Sequence, residues 1–354
     1  MSFFGSRNFL KINNKTMSGK VITIIHSSKI LKNNPLKDPY KREILVYLPP
    51  AYSKSNKKFP VVYLIAGFTG FGRMNMNVSG FSENIQQRLD RLIRTKKIKD
   101  MIVVMPDCFT KYGGSQYVNS RATGRYEDYL IKEIVPFIDS NFKTIPKPES
   151  RCIIGKSSGG YGAMWLAMRN PNIFKLMVTH SGDTAFEYCY MKDFPDFIVG
   201  IQKYGKGHKA VRNFIRTELN KRQPKERSFF PILNTIGMAS CYSPNPKRKE
   251  YNFDLPFDIY TGEIIPAVWN RWLRYDPVRL VKKYRKNLKK LKMIFVDCGT
   301  RDEFNLHAGA RIYCDKLKEN GIKYIHQEFN DGHMNIQYRY DVSFKYISNN
   351  FLYR

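Results

Sequence analysis

None of the six cysteines, Cys108, Cys152, Cys189, Cys241, Cys298 and Cys314, stands in a C-x-x-C pair. A zinc ribbon and a thioredoxin-type dithiol are therefore unsupported. Reduced thiols are the default reading, which makes the cytoplasm the expected location. No uncharged apolar stretch reaches 18 residues, so no membrane-spanning helix is expected. The first apolar run, Val21–Ile25, is too short for the core of a signal peptide. Acidic residues are scarce: 30 Asp and Glu face 60 Lys and Arg, a formal net charge of +30. Such a balance suits a polyanionic partner. Here, however, the lysines are scattered among many Asn and Ile residues, as in a biased composition. The basic clusters at 282–290 and 247–249 accompany no recognisable nucleic-acid module, so nucleic acid is not the expected partner. Nothing indicates the oligomeric state. What is plentiful is apolar: 42% hydrophobic and 14% aromatic residues in 354 suffice for a large core and exclude a disordered chain, collagen or a coiled coil.

No repeat of fixed period occurs. Residues 1–20 are polar and read as a loose arm, leaving 21–354 as the folded domain. Short apolar runs then alternate with helical patterns. Strands are predicted at 21–25, 43–47, 60–66, 101–105, 152–154, 176–179, 293–296 and 324–329. Helices are predicted at 82–95, 126–142, 158–170, 303–320 and 335–351, the second from Leu130, Ile131, Ile134, Val135 and Ile138 at three- and four-residue spacing. Continuous runs such as Pro60–Ala66 mark strands covered on both faces. The alternation predicts an α/β fold with a mostly parallel central sheet and helices on both faces. The gap of about 110 residues before the 293 strand is too long for an ordinary crossover. It predicts a helical cap insertion at about 184–290, with one helix near 209–219.

The strongest local signal is Gly155-Lys156-Ser157-Ser158-Gly159, a G-x-S-x-G run between a predicted strand and a predicted helix. That setting is required by a nucleophile elbow, a strained turn that exposes a serine above the sheet. The positions two before and two after the nucleophile must be almost free of side chain. Ser157 meets this with Gly155 and Gly159, whereas Ser158 would have Lys156 two before it. A glycine turn that only packs closely, or holds a phosphate at a helix N-terminus, is the alternative.

A serine hydroxyl needs a base. The chain order that accompanies such an elbow is Ser, acid, His. His333, in Asn330-Asp331-Gly332-His333, follows the last predicted strand and precedes the last helix, so it is the candidate base. His26, His180, His208, His307 and His326 lack this placement. The candidate acid is Asp302, just past the 293–296 strand, where a carboxylate can hold the imidazole Nδ1–H. Asp183, after the preceding strand, stays open as the rival. Asp297 reads as inside its strand, and Glu303 as a helix-opening residue. An oxyanion hole needs two N–H donors. The backbone of Ser158 supplies one and that of Phe68, in the glycine-rich loop 67–72, the other. Gly67, Tyr117, Trp269 and Trp272 are candidate substrate contacts, the two tryptophans reading equally as core of the insertion.

These residues resemble the putative-esterase family of α/β-hydrolases, which includes esterase D (S-formylglutathione hydrolase), enterochelin-esterase-like proteins, feruloyl esterases and mycolyltransferases. The resemblance runs through Val46–Tyr52, Pro60–Gly70, Tyr112–Ser120, Glu133–Asp139, the elbow, Asp302 and Gly332-His333. It implies the α/β-hydrolase fold, a Ser157–Asp302–His333 triad, no cofactor and no metal, and a small-molecule ester substrate. Hydrolysis of carboxylic esters through an acyl-enzyme is the expected activity. Acyl transfer by the same triad, or a non-catalytic binding protein on the same fold, are the alternatives. Ala66 replaces a histidine common in relatives, Ser158 a common methionine, and Lys156 a bulkier or neutral residue.

Overall fold

The computed structural model describes residues 18–221, 228–248 and 250–353. The predicted arm thus lies mostly outside the described residues, and its last position, Lys20, already opens the first strand.

Eight strands form one sheet: β1 (Lys20–Ser27), β2 (Lys41–Leu48), β3 (Val61–Ile65), β4 (Ile102–Pro106), β5 (Arg151–Lys156), β6 (Leu176–His180), β7 (Met293–Gly299) and β8 (Ile325–Phe329). Their spatial order is β1-β2-β4-β3-β5-β6-β7-β8. β2 runs antiparallel to β1 and β4, and the other pairs are parallel. β3, β4, β6 and β7 are buried at every position, as their unbroken apolar runs require in a sheet covered on both faces. β1, at the edge, alternates between partly buried and exposed residues instead.

Among the described residues, ten helices of seven residues or more accompany the sheet. They are α1 (Ile85–Arg94), α2 (126–141), α3 (Ser158–Arg169), α4 (Phe194–Ile201), α5 (Gly207–Thr217), α6 (Phe229–Tyr242), α7 (Pro266–Leu273), α8 (Pro277–Lys283), α9 (Leu306–Glu319) and α10 (Tyr340–Asn350). One face of the sheet packs on Leu89 and Leu92 of α1 and Phe344 and Ile347 of α10. The other packs on Ile134 and Ile138 of α2, Met164 of α3 and Tyr313 of α9.

Local chemistry explains where helix ends differ from the expected ones. α1 opens at Ile85 because Asn84 and Gln87 form a reciprocal capping box. α2 widens to a π-helical turn over Tyr129–Ile134. Pro136 lies two residues further on, and its missing N–H removes an α-helical hydrogen bond there. α9 starts only at Leu306, because residues 302–305 form the turn that carries Asp302. Between β6 and β7 the chain builds α4 to α8, and Lys209–Leu219 coincides with α5 and the turn after it.

Candidate active site

The parallel strands β3, β5, β6 and β7 end on the same rim of the sheet, which is where loops can meet over a common cavity. Ser157 joins β5 to α3 with φ 57° and ψ −129°, a strained conformation for a residue with a side chain. Packing enforces this turn. A Cβ on Gly155 would lie 2.3 Å from the Gly159 carbonyl carbon, and one on Gly159 would lie 2.4 Å from the Ile65 carbonyl oxygen. The Ser157 N–H donates to the His180 carbonyl at 2.9 Å, and the Tyr161 N–H to the Ser157 carbonyl at 2.9 Å. The turn is thus tied to the neighbouring strand and to its own helix.

A cavity of about 470 Å³ opens above the elbow, lined by Gly67, Phe68, Ser157, Ser158, Asp183 and His333 among others. His333 is 4% exposed, and its Nδ1 lies 2.8 Å from Asp302 Oδ2. Asp302, with a fully buried carboxylate, also accepts the Phe304 N–H at 2.9 Å and the Leu306 N–H at 3.4 Å through Oδ1. Burial alone would raise its pKa. The hydrogen bond and charge of His333 and the two backbone donors outweigh that and hold the carboxyl below its ordinary range. The ionised Asp302 therefore accepts a hydrogen bond from Nδ1–H, which keeps the proton on Nδ1 and leaves Nε2 with its lone pair.

Glu303 lies at the base of the same loop. Its Oε2 accepts the His333 N–H at 2.6 Å, and a Cβ on Gly332 would collide with its carboxylate. Sequence reasoning gave Glu303 only a helix-opening role, and the tether to residue 333 bridges 30 positions with no local signal.

The loop after β3 abuts the elbow: a Cβ on Gly67 would lie 3.1 Å from the Lys156 carbonyl and 3.4 Å from Ser157 Cβ. The N–H of Phe68 meets no backbone partner among the described residues, and Ser158 opens α3, where no preceding turn supplies an acceptor. Both residues line the cavity, so two unclaimed donors flank Ser157. Lys156 lines it too, its ammonium pKa drawn down by burial against the opposing charges of Asp302 and Glu303.

Of the other singled-out residues, Tyr117, Trp269, Trp272 and Asp297 lie apart from this group. Tyr117 is buried off the cavity; its hydroxyl donates to the Ala66 carbonyl at 2.5 Å, and its ring lies over Gly162 of α3. It wedges the end of β3 against the elbow helix. Trp269 and Trp272 pack with Phe194 in the core of the segment between β6 and β7, where the Trp272 indole donates to Ser243. That segment instead offers Tyr190, Phe230 and Asn234 to the cavity, residues the sequence did not single out. Asp183 bonds Ser158 rather than His333. Asp297 is inside β7, with His180 Nδ1 at 2.5 Å from Oδ1 and Arg339 Nε donating to Oδ2 at 2.9 Å. His180 Nε2 meets Ser343 Oγ at 3.0 Å. This second Ser–His–Asp array is sealed in the core, 0–1% exposed at all three residues, with no room for a substrate.

A family model described as "Putative esterase" matches residues 39–340. The chain belongs to the putative-esterase family. YbbA of Bacillus subtilis and this family member are 30% identical over 156 residues, 41% of this chain and 58% of YbbA. An endo-1,4-beta-xylanase/feruloyl esterase of Xylanibacter ruminicola is 34% identical over 146 residues, 39% of this chain and 19% of the other. The alignment thus spans less than two thirds of the length of these curated relatives. Among solved structures, a ferulic acid esterase superposes with a TM-score of 0.59 at 18% identity, covering 95% of this chain and 99% of the other. FphF, a fluorophosphonate-binding serine hydrolase of Staphylococcus aureus, gives 0.57 at 16%, covering 94% and 99%. At those identities the superpositions establish the shared α/β-hydrolase fold of the family.

No helix among the described residues is long and apolar enough to cross a membrane. No group of three or more His, Cys, Asp or Glu among them is arranged to hold a metal ion.

Proposed function

We propose that the protein hydrolyses carboxylic esters through an acyl-enzyme on Ser157. The observation that carries this reading is a strained serine opening on the same cavity as an imidazole whose far nitrogen is held by a buried, ionised carboxylate. Ser157 Oγ attacks the ester carbonyl while His333 Nε2 takes its proton. Asp302 holds the Nδ1–H and stabilises the imidazolium that results. The N–H groups of Ser158 and Phe68 receive the oxyanion, and their preorganisation is supported by the close packing of Gly67 on the elbow. His333 then returns the proton to the departing alcohol. Water attacks the acyl-enzyme by the same route in reverse. Six buried cysteines without disulfides support a cytoplasmic location.

A fluorophosphonate probe and a simple aryl ester test the assignment. The native protein should label at Ser157 and turn over the ester. Ser157→Ala should lose the label and about 10⁶-fold in kcat. Folded native protein that neither labels nor hydrolyses would favour a binding role on this fold. Faster acyl consumption with an added alcohol, and an ester of that alcohol as product, would favour acyl transfer.

A further inference from the structure

Asp183 is a buried carboxyl to which the reaction above gives no task. It is 5% exposed in the loop after β6 and lines the cavity. Its Oδ2 is crowded with donors: the Ser158 hydroxyl at 2.8 Å, the Tyr190 hydroxyl at 2.8 Å and the Gln116 amide at 3.3 Å. Its Oδ1 accepts nothing from any described residue, yet it is not among the polar atoms sealed from solvent without a partner. Oδ1 therefore opens to the cavity. A largely desolvated carboxyl oxygen without a donor is costly, so a ligand that brings one gains the difference.

The position is defined. Three donors on one oxygen fix the carboxyl plane and so the direction of the other oxygen. Gln116 and Tyr117 hold left-handed backbone, φ 47° and 55°, which places the Gln116 amide on Asp183 while Tyr117 reaches Ala66. Through Ser158, the carboxyl is one residue and one hydrogen bond from Ser157. The Ser158 hydroxyl that holds Asp183 belongs to the residue after the nucleophile, whereas the leaving alcohol must take its proton from His333, so Asp183 is assigned to the acyl side.

We propose that Asp183 Oδ1 accepts a hydrogen bond from a hydroxyl on the acyl group, which makes the substrates esters of short hydroxy acids. The proposal rests on the ester-hydrolase reading and names its substrate class. An ammonium is the other donor that a carboxylate would take. Lys156 and Arg88 already line the cavity, and the chain carries a net +30, so an uncharged donor is favoured.

The native protein is assayed first, with aryl esters of butyrate, 2-hydroxybutyrate, 3-hydroxybutyrate, 3-methoxybutyrate and 3-aminobutyrate. A hydroxy ester should exceed butyrate in kcat/KM by about 10- to 100-fold, the range for a hydrogen bond to a charged partner, and the methoxy ester should not. In Asp183→Asn, Ser158, Tyr190 and Gln116 still require an acceptor, so the amide oxygen turns to them and the amide NH₂ faces the cavity. The hydroxy-to-plain ratio should fall towards one, and the methoxy-to-plain ratio should rise. Hydrolysis without discrimination by the native protein, or an unchanged ratio in folded Asp183→Asn, overturns this proposal alone. Preference for the amino ester overturns the hydroxyl in favour of a cation. Hydrolysis of no member of the series overturns the hydrolase reading and the proposal with it.

Discussion

Replacing Asp302 with Asn keeps shape and volume while changing one atom that faces His333. In the native side chain Oδ1 accepts the Phe304 and Leu306 N–H groups, at 2.9 and 3.4 Å, and Oδ2 meets His333 Nδ1 at 2.8 Å. The amide oxygen must stay with the two backbone donors, because turning the NH₂ towards them would set donor against donor in a buried site. The NH₂ therefore faces Nδ1, which must become an acceptor. The imidazole is driven to its Nε2–H tautomer and presents a proton, not a lone pair, to Ser157. The expected loss in kcat is about 10⁴-fold, or roughly 5 kcal/mol of transition-state stabilisation, with KM little changed. Steady-state hydrolysis of an aryl ester by folded Asp302→Asn measures it. Retention of a tenth or more of kcat would refute the orientation argument. A larger loss in Asp183→Asn than in Asp302→Asn, for butyrate esters, would transfer the acid role to Asp183.

The same pair sets a pH dependence of stability. The folded pKa of Asp302 is depressed, so its ionised form stabilises the fold above the unfolded value of about 3.9, and that contribution is lost as pH falls through the lower folded value. Denaturation midpoints of native protein and Asp302→Asn should differ most near pH 6 and converge below about pH 4; a gap that widens on acidification contradicts this. Gly159→Ala places a Cβ 2.4 Å from the Ile65 carbonyl, so the elbow or β3 must shift. A cost of about 3 kcal/mol is expected from overpacking, read as a lower melting temperature, and an unchanged melt would show that the turn is not packing-enforced. Glu303→Ala leaves the His333 N–H without its acceptor and should lower kcat about tenfold, while Glu303→Gln, which keeps an acceptor oxygen, should restore most of it. Equal loss in both variants would assign the effect to charge rather than to positioning.

The inner strands β3, β4, β6 and β7 were legible because each is a mostly apolar run, as a sheet covered on both faces requires, whereas edge strands β1 and β8 were read from shorter or mixed β-rich runs. The elbow was legible for a steric reason: Gly155 and Gly159 are local requirements of one turn. His333 and Asp302 followed from chain order, since strand ends in a parallel sheet all reach the same rim. Helix starts were less legible where a loop residue had a task elsewhere, as at 302–305.

What the chain alone determined was the strand series, the helices outside the segment between β6 and β7, and the elbow turn at Ser157, because periodicity and steric bulk act between neighbours. Which side chains meet was decided only by the tertiary fold. The pairing of Asp302 with His333 spans 31 positions, the tether from Glu303 spans 30, and the hold of Tyr117 on Ala66 spans 51. Composition could not separate Asp183 from Asp302, or the sealed His180 from His333, because the same chemical groups differ there only in what surrounds them: one imidazole is walled into the core, and the other borders a cavity. The tryptophans at 269 and 272 make the same point from the other side, being apolar enough to line a pocket but placed where the segment between β6 and β7 needs a core of its own.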